Sequence, residues 1–520
     1  MLVNNFLENS ALKYPNKVAL ICGSKRITYS EIDAMANSLA SFMISEGVER
    51  GDRVAIFLDN SVEAVVSIFA ALKAGAVFLM VNPTTKKEKL NYMLTNCRTS
   101  ALISHINKLD IASEAYKMTP SVKFAILAGR KKEIVNGSQR YIFMEDIPIS
   151  QSSQRRPFAA SPSIDIDLAS ILYTSGSTGI PKGVMMTHLN MVSSANSIIQ
   201  YLENTPDDII LNALPLSFDY GLYQVLMGFN VGATVIIEEA FPYPYKIIDI
   251  IQKEKVTGFP IVPTISAILL QMEDLKNHNF ENLRYISNTA AALPPVHITK
   301  LKKVFPKAKI YSMYGLTECK RVTYLPPEQI DIRPTSVGKG MPNEEVYIVD
   351  EGGNRVGPNI IGELVVRGSN VMKGYWEMPE ETAKRLKPGK YPGEMVLYTG
   401  DLFKMDEEGY LYFVARKDDI IKSRGEKVSP KEIENVLYEI EGVVEAAVIG
   451  VSDEILGQAI KAFVVLKNGA TLTEKEVQRF CAKKLENFMV PKHVEFKSEL
   501  PKTSAGKITK TELRQRVKGA

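Results

Sequence analysis

The feature that most restricts the fold is a strand, helix, strand unit within residues 53–82. Residues 53–58 form a short apolar run rich in strand formers. Asn60-Ser61-Val62-Glu63 follows as a capping-box pattern that opens a helix, and Gly75 closes it. Residues 76–82 are a second apolar run of strand length, and such a unit is the right-handed crossover from which parallel sheets are built. A membrane span over 64–81 is the competing reading. It fails because Lys73 and Gly75 interrupt the stretch where a spanning helix has to continue.

The alternation continues to about residue 325, with apolar runs at 99–104, 170–174, 208–213 and 233–238 between longer amphipathic stretches. Thr28-Tyr29-Ser30-Glu31 opens an earlier helix. This predicts an α/β architecture with helices on both sheet faces. From about residue 335, runs at 345–350, 362–367 and 402–414, separated by Glu351-Gly352-Gly353 and Asp406-Glu407-Glu408-Gly409 turns, read as a small antiparallel β subdomain. Beyond Arg416-Lys417-Asp418-Asp419 a compact α+β segment begins, with helix starts at Ser429, Thr473 and Thr509. A domain boundary is expected near 418, giving a 1–418 domain and a 419–520 domain. Residues 150–163, rich in Ser, Pro and Arg, are the one plausible loose linker.

At 520 residues, 45% hydrophobic and 23% charged, the chain has the composition of a multidomain globular protein. Its 63 basic against 59 acidic side chains, net +4, give no surface for nucleic acid or a membrane. Cys22, Cys97, Cys319 and Cys481 are too scattered to form a metal site and read as reduced thiols. Asn5, Glu8 and Asn9 break the apolar stretch that an export signal needs, so a cytoplasmic location is expected.

The densest chemical signal is Tyr173-Thr174-Ser175-Gly176-Ser177-Thr178-Gly179-Ile180-Pro181-Lys182-Gly183, directly after an apolar run. Its glycines admit close backbone approach, its hydroxyls donate, and Lys182 adds positive charge, which together suit a polyphosphate. No Gly-Lys-Ser/Thr follows Gly179, so it is not the P-loop of nucleoside triphosphatases.

This segment resembles the phosphate-binding signature of the AMP-forming adenylating enzymes: acyl-CoA synthetases, adenylation domains and luciferases. Four more segments resemble that family's motifs in the family's order. They are Tyr314-Gly315-Leu316-Thr317-Glu318, Tyr398-Thr399-Gly400-Asp401, Arg416-Lys417-Asp418-Asp419 with 421–426, and Pro501-Lys502-Thr503-Ser504-Ala505-Gly506-Lys507. The resemblance implies ATP binding by Thr174, Ser175, Gly176, Ser177, Thr178, Gly179, Lys182, Asn288, Thr289, Ala290, Met313, Tyr314, Gly315, Thr317, Asp401, Arg416 and Lys507. It further implies catalytic roles for Lys507, Thr174 and Glu318, with Glu318 holding Mg²⁺. It places a hinge at Asp418 and a thiol channel at Lys422 and Gly425. With the patterning above, the expected architecture is α/β: a large N-terminal domain of two doubly wound α/β subdomains plus a small β subdomain, and a small mobile α+β C-terminal domain. Rotation about the hinge would exchange Lys507 for the 422–426 loop between two half-reactions.

The acid pocket is expected between 214–225, 260–264, 288–291 and the residues after Glu318, with Asp219, Tyr220, Tyr223, Pro260, Arg321 and Val322 as candidates. Asp219 resembles the aspartate with which amino-acid-activating relatives meet a substrate ammonium, and it equally suits the N-cap of the apolar helix that follows. Lys320 and Arg321 depart from the small or apolar residues of many fatty-acid relatives. Such a cation meets either a second substrate carboxylate or solvent.

The expected reaction is ATP-dependent, Mg²⁺-assisted activation of a carboxylic acid to acyl-AMP, followed by thioester formation on coenzyme A. The alternative acceptor is the phosphopantetheine of a separate carrier protein. A luciferase-type oxygenase and a non-catalytic nucleotide-binding protein are rivals of other classes. The joint presence of Lys507 and Glu318 speaks against the last.

Overall fold

The computed structural model describes residues 1–129, 139–149, 163–175, 181–239, 241, 243–417, 419–423, 426–453, 457–503 and 506–518. The 53–82 unit forms as expected. Arg53–Phe57 and Val77–Met80 are parallel neighbours joined by the helix Val62–Lys73. Ser61 caps that helix by accepting from the Ala64 amide. The box is not reciprocal, because its third helical position is Ala64 rather than an acid or amide. Thr28 and Glu31 do form the full reciprocal box at the helix Tyr29–Ser45.

These two strands lie inside a sheet that, counted over the described residues, has eight strands. Its order is Gly374–Tyr375, Pro181–Thr187, Leu168–Ser175, Val77–Met80, Arg53–Phe57, Ala101–His105, Phe124–Ala128 and Tyr141–Phe143. Alternate side chains feed two separate cores. Val54, Ile56, Phe78 and Met80 join the main cluster, while Ala55, Phe57, Val77 and Leu79 pack with Leu90, Leu94 and Ala115 of the helices on the other face. A sheet buried on both faces needs apolar residues at every position, so these strands read as unbroken runs.

A second sheet, of nine described strands, runs Lys339–Gly340, Thr323–Leu325, Lys309–Tyr314, Tyr285–Asn288, Gly258–Ile261, Ile209–Asn212, Thr234–Ile237, Val18–Cys22 and Lys25–Thr28. Its centre is parallel. The hairpin Val18–Cys22 with Lys25–Thr28 therefore completes a sheet whose remaining members begin at Ile209, with Leu20 opposite Val235. The antiparallel subdomain follows as Glu344–Val349, Gly362–Gly368, Met395–Met405 and Leu386–Pro388, with Leu411–Arg416 also on Met395–Met405. The expected Asp406-Glu407-Glu408-Gly409 turn within 402–414 falls between the strands Met395–Met405 and Leu411–Arg416.

The C-terminal sheet comprises Glu426–Val428, Ile421–Ser423, Gly457–Leu466 and Val443–Asp453, with His493–Lys497 parallel to Gly457–Leu466. Val448, Ile460 and Val464 pack with Ile433 and Val477 of two helices, while Ile449 and Phe463 pack on the opposite side with Leu513 of the last helix. The fold is thus a mixed α/β assembly with a large N-terminal and a smaller C-terminal domain, in line with the expected class. The smaller domain docks on the larger through the Ser429 hydroxyl, which donates to the Val414 carbonyl, and through the Tyr438 ring edge-on to His297 at 5.9 Å. The helix start expected at Thr509 is present, but its hydroxyl is buried without a partner rather than capping. All four cysteines are free thiols. Residues 150–162 of the expected linker lie outside the described residues.

Candidate active site

In open α/β sheets, ligands collect beyond the carboxyl ends of the parallel strands. The candidate residues gather there on the nine-stranded sheet. Tyr285–Asn288 leads into Asn288, Thr289 and Ala290, Lys309–Tyr314 leads into the loop 315–322, and Gly258–Ile261 leads into 262–264. Asn288 is wholly buried and donates from Nδ2 to the Ala291 carbonyl, while its Oδ1 and the Thr289 hydroxyl have no hydrogen-bond partner among the described residues. Ala290 takes a left-handed backbone, φ +73°. Met313 turns its sulfur to the Tyr201 hydroxyl at 3.0 Å, so its side chain belongs to the core and only its backbone borders the cleft.

Asp401 and Arg416 are cross-strand partners in the antiparallel subdomain. The Tyr314 hydroxyl donates to Asp401 Oδ2 at 2.6 Å, and Arg416 Nε stands 3.7 Å from Oδ1. Burial raises the Asp401 pKa, and Arg416 and Tyr314 oppose that rise. The Tyr314 ring packs edge-on to Phe403 at 4.8 Å. A turn aspartate is ordinarily a cap; this one is buried and faces a tyrosine and an arginine across two elements.

Loop 315–322 is held by its own backbone. A Cβ on Gly315 would stand 2.1 Å from the Lys320 carbonyl oxygen, so the loop closes this tightly only over glycine. The Lys320 amide donates to Leu316 O, the Val322 amide to Tyr314 O, and Lys320 sits at φ +70°. The fold projects Glu318, whose Oε1 accepts from the Tyr375 hydroxyl at 2.7 Å and whose carbonyl accepts from the Met372 amide. Thr317 beside it is half-buried. Among the described residues no three His, Cys, Asp or Glu side chains cluster as a metal cage. One tethered carboxylate fits Mg²⁺, which takes one or two carboxylates and completes its shell with phosphates and water.

The strands that flank the glycine-rich segment are neighbours. Leu168–Ser175 and Pro181–Thr187 pair antiparallel, with Thr174 opposite Lys182. Ser175 contributes backbone to this ladder, and Gly176, Ser177, Thr178 and Gly179 lie outside the described residues. Lys182 pairs with Glu381 and lies over the Tyr375 ring at 5.4 Å. Hydrogen bonds from Lys182 and Lys384 hold the Glu381 carboxyl down at about 2.

Lys507 comes from the small domain. Its amide donates to the Thr503 hydroxyl and its carbonyl accepts from the Thr503 amide. Gly506, φ +76°, is so close to the large domain that a Cβ there would meet the Thr264 hydroxyl at 2.7 Å. Lys507 is exposed, and its ammonium is within electrostatic reach of Arg416, Asp401 and Asp419. Desolvation and then Arg416 lower its pKa to about 8, against the opposing pull of Asp401 and Asp419. The structure therefore brings Lys507, Asp401, Arg416 and Tyr314 together. Asp419 pairs with Arg514 at 2.7 Å. Asp418 and Gly425 lie outside the described residues, and Lys422 is described only as backbone of Ile421–Ser423.

In the expected acid pocket, helix Asp219–Val231 has Phe218, not Asp219, at its N-cap position and no side-chain cap. The capping alternative for Asp219 is thereby overturned: the residue is the first of the helix and is buried. Tyr220 and Tyr223 are buried, the Tyr220 hydroxyl donating to Ser287 O at 2.7 Å. Pro260 is inside the sheet opposite Ser287, and Val322 is wholly buried. Arg321 is buried with its guanidinium 4.4 Å from the Tyr220 ring centroid, which corrects the solvent-facing reading. Tyr375 and Glu381 are site residues that sequence reasoning missed. Both come from the segment around Gly374–Tyr375 and Pro379–Arg385, which carries no spacing pattern of its own.

The profile described as "AMP-binding enzyme" matches residues 7–376, and that described as "AMP-binding enzyme C-terminal domain" matches 432–507. The chain is 34% identical to a long-chain-fatty-acid–CoA ligase of Bacillus subtilis (strain 168), over 98% of this chain and 94% of that protein. The fold matches that of the anthranilate CoA ligase AuaEII in complex with anthranoyl-AMP, with TM-score 0.89, 28% identity, and 99% and 97% of the two chains covered. ATP-bound MatB from Rhodopseudomonas palustris matches with TM-score 0.87 and 30% identity, over 100% and 99% of the two chains. The chain belongs to the AMP-binding, adenylate-forming enzyme family.

Proposed function

We propose that the protein is an AMP-forming acid–thiol ligase. A carboxylate oxygen of the acid attacks the α-phosphorus of ATP and pyrophosphate leaves. The thiol sulfur of coenzyme A then attacks the acyl carbonyl and AMP leaves with the bonding electron pair. The observation that carries this reading is the position of Lys507, delivered from the small domain beside Asp401 and Arg416.

Bringing a carboxylate to a polyphosphate assembles negative charge, and fixed cations aimed at the developing charge lower the barrier. In this reading Lys507 supplies such a cation during the first step and holds its proton there. The second Asp401 oxygen faces the ribose hydroxyls, while Tyr314 fixes the carboxylate's orientation. Glu318, steadied by Tyr375, would hold Mg²⁺, whose charge neutralises phosphate oxygens when it is bound. Thr174, Lys182 and the 176–179 loop would bind the phosphates, for which Lys182 must leave Glu381. Rotation near Asp418 would then withdraw Lys507 and bring in the strand of Lys422, with Gly425 admitting the pantetheine arm. Coenzyme A is favoured over a carrier protein because the relatives and structural neighbours named above include CoA ligases. No helix among the described residues is long and apolar enough to cross a membrane.

The test separates the half-reactions. With an acid that supports pyrophosphate release, Lys507→Ala should lower adenylation by about 10²–10³-fold, the magnitude typical of removing one fixed transition-state donor. The same variant should keep thioester formation from chemically supplied acyl-AMP. Coenzyme A and a purified carrier protein are run in parallel as acceptors. Unchanged pyrophosphate release in the variant overturns the assignment.

A further inference from the structure

Beside Glu318 the cleft wall buries two basic side chains, each with a nitrogen that lacks a hydrogen-bond partner among the described residues. Lys320 is 1% and Arg321 3% exposed. Lys320 Nζ and Arg321 Nε have no hydrogen-bond partner among the described residues. Arg321 reaches the Lys320 carbonyl through one terminal nitrogen at 3.2 Å and otherwise lies on the Tyr220 ring. The carboxylates acting on Lys320 are Asp219, 7% exposed, and Glu318. Glu318 is engaged by Tyr375 and, in the reading above, by the metal. Burial pushes the Lys320 pKa down, against Asp219 and Glu318, while Arg321 makes no ion pair among the described residues.

A buried, unneutralised cation costs several kcal/mol, and a site keeps one when something arriving from solution completes it. The location says what arrives. Tyr220, under Arg321, lies in the first turn of the helix Asp219–Val231 and holds Ser287, the residue before Asn288, whose Oδ1 and the next hydroxyl, of Thr289, are also unpartnered among the described residues. These are the walls of the acid pocket rather than of the phosphate site, whose expected residues are Thr174, Lys182 and Lys507. An alkyl tail lying there would leave both cations unsatisfied.

We infer that the acid activated by this enzyme carries a second anionic group, as a dicarboxylic acid does, and that Arg321 and Lys320 hold it while the first carboxylate attacks ATP. This deepens the ligase reading and rests on it. Asp219 acts on Lys320, which leaves the Arg321 guanidinium free for the single added carboxylate.

Pyrophosphate release is measured on malonate, succinate, glutarate and adipate, on the monocarboxylic acids of equal length and of 8–16 carbons, on aromatic acids and on amino acids. A dicarboxylate is expected to have the highest kcat/KM. In Arg321→Met the ratio of its kcat/KM to that of the matched monocarboxylate should fall by about 10²-fold, the scale of losing one partner of a buried charge pair. Arg321→Lys should recover part of the ratio. Thermal unfolding without ATP gives a readout free of activity: the dicarboxylate alone should raise the midpoint of the wild type and not that of Arg321→Met. Arg321→Met should melt close to wild type, because the apolar replacement keeps the packing on Tyr220 and removes a buried charge that has no ion-pair partner among the described residues. If a monocarboxylic or amino acid is the best substrate and Arg321→Met leaves the ratio unchanged, the inference falls while the ligase reading stands. If no acid supports pyrophosphate release, the ligase reading falls instead.

Discussion

Lys507 is held between opposing fields. Desolvation and Arg416 push its proton off, Asp401 and Asp419 keep it on, and the balance sets it at about 8. A lysine at its ordinary value of 10.5 would stay charged through any physiological range; this one loses charge within reach of experiment. Because the cation is the useful form, kcat/KM for ATP in the adenylation step should be level below pH 7.5 and fall above about 8. In Lys507→Arg the side chain cannot deprotonate, so a slower but level profile to pH 10 is expected. A wild-type profile level through pH 9.5 would contradict the placement. Asp401, Glu318 and Lys507 were legible as candidates through the family resemblance, since taken alone Asp401 reads as a turn cap and Lys507 as solvated surface. Tyr375 was not legible. A tyrosine after a glycine has no spacing that points to Glu318, 57 residues away, and only the pairing of Gly374–Tyr375 with Pro181–Thr187 puts it there. Asp219 shows the limit of local reasoning: the helix start was readable, but whether its first acid caps or faces inward was decided by tertiary packing.

Among the elements, the helix Asn5–Lys13 is attached in a pH-sensitive way. The Val3 amide donates to His188 Nδ1 at 3.0 Å, which requires a neutral ring, and burial lowers that histidine's pKa to about 4. The sign follows from linkage. The ring is protonated more readily when released than when docked, so docking is strongest above pH 6.5 and weakens as pH falls toward 4. Corrected for intrinsic exchange, protection of the Val3 amide should drop by roughly 10²-fold between pH 7 and 4.5. His188→Asn should flatten that dependence, and equal slopes in the two proteins would refute it. At this scale the buried parallel strands were plain, because a strand covered on both faces is apolar throughout. The hairpin Leu168–Ser175 with Pro181–Thr187 was not. The first arm was readable as a strand, but the return arm carries a lysine, a glycine and a proline, and its pairing is a property of the sheet.

For the whole molecule, the smaller domain is seated in one of the two arrangements that the proposed cycle needs, with Gly506 against Thr264. A side chain at 506 meets a left-handed backbone, a cost of about 1–2 kcal/mol that belongs to the loop itself, and the Thr264 hydroxyl, a clash that applies only while this arrangement is occupied. Gly506→Ala should thus slow adenylation by about tenfold and leave thioester formation from supplied acyl-AMP within twofold. Equal losses in both steps would mean that the contact is merely structural.

The nine-stranded sheet also imposes a schedule. Val18–Cys22 leaves the ribosome early, yet Val235, its partner through Leu20, is about 215 residues behind. At roughly 5–20 residues per second, the wait is on the order of 10–40 s. For that time Lys25–Thr28 is the sole neighbour available to shield the strand. Synthesis, rather than any elementary pairing event, sets when the large domain can close, and a nascent chain stalled before residue 238 would display an apolar edge to whatever else is nearby.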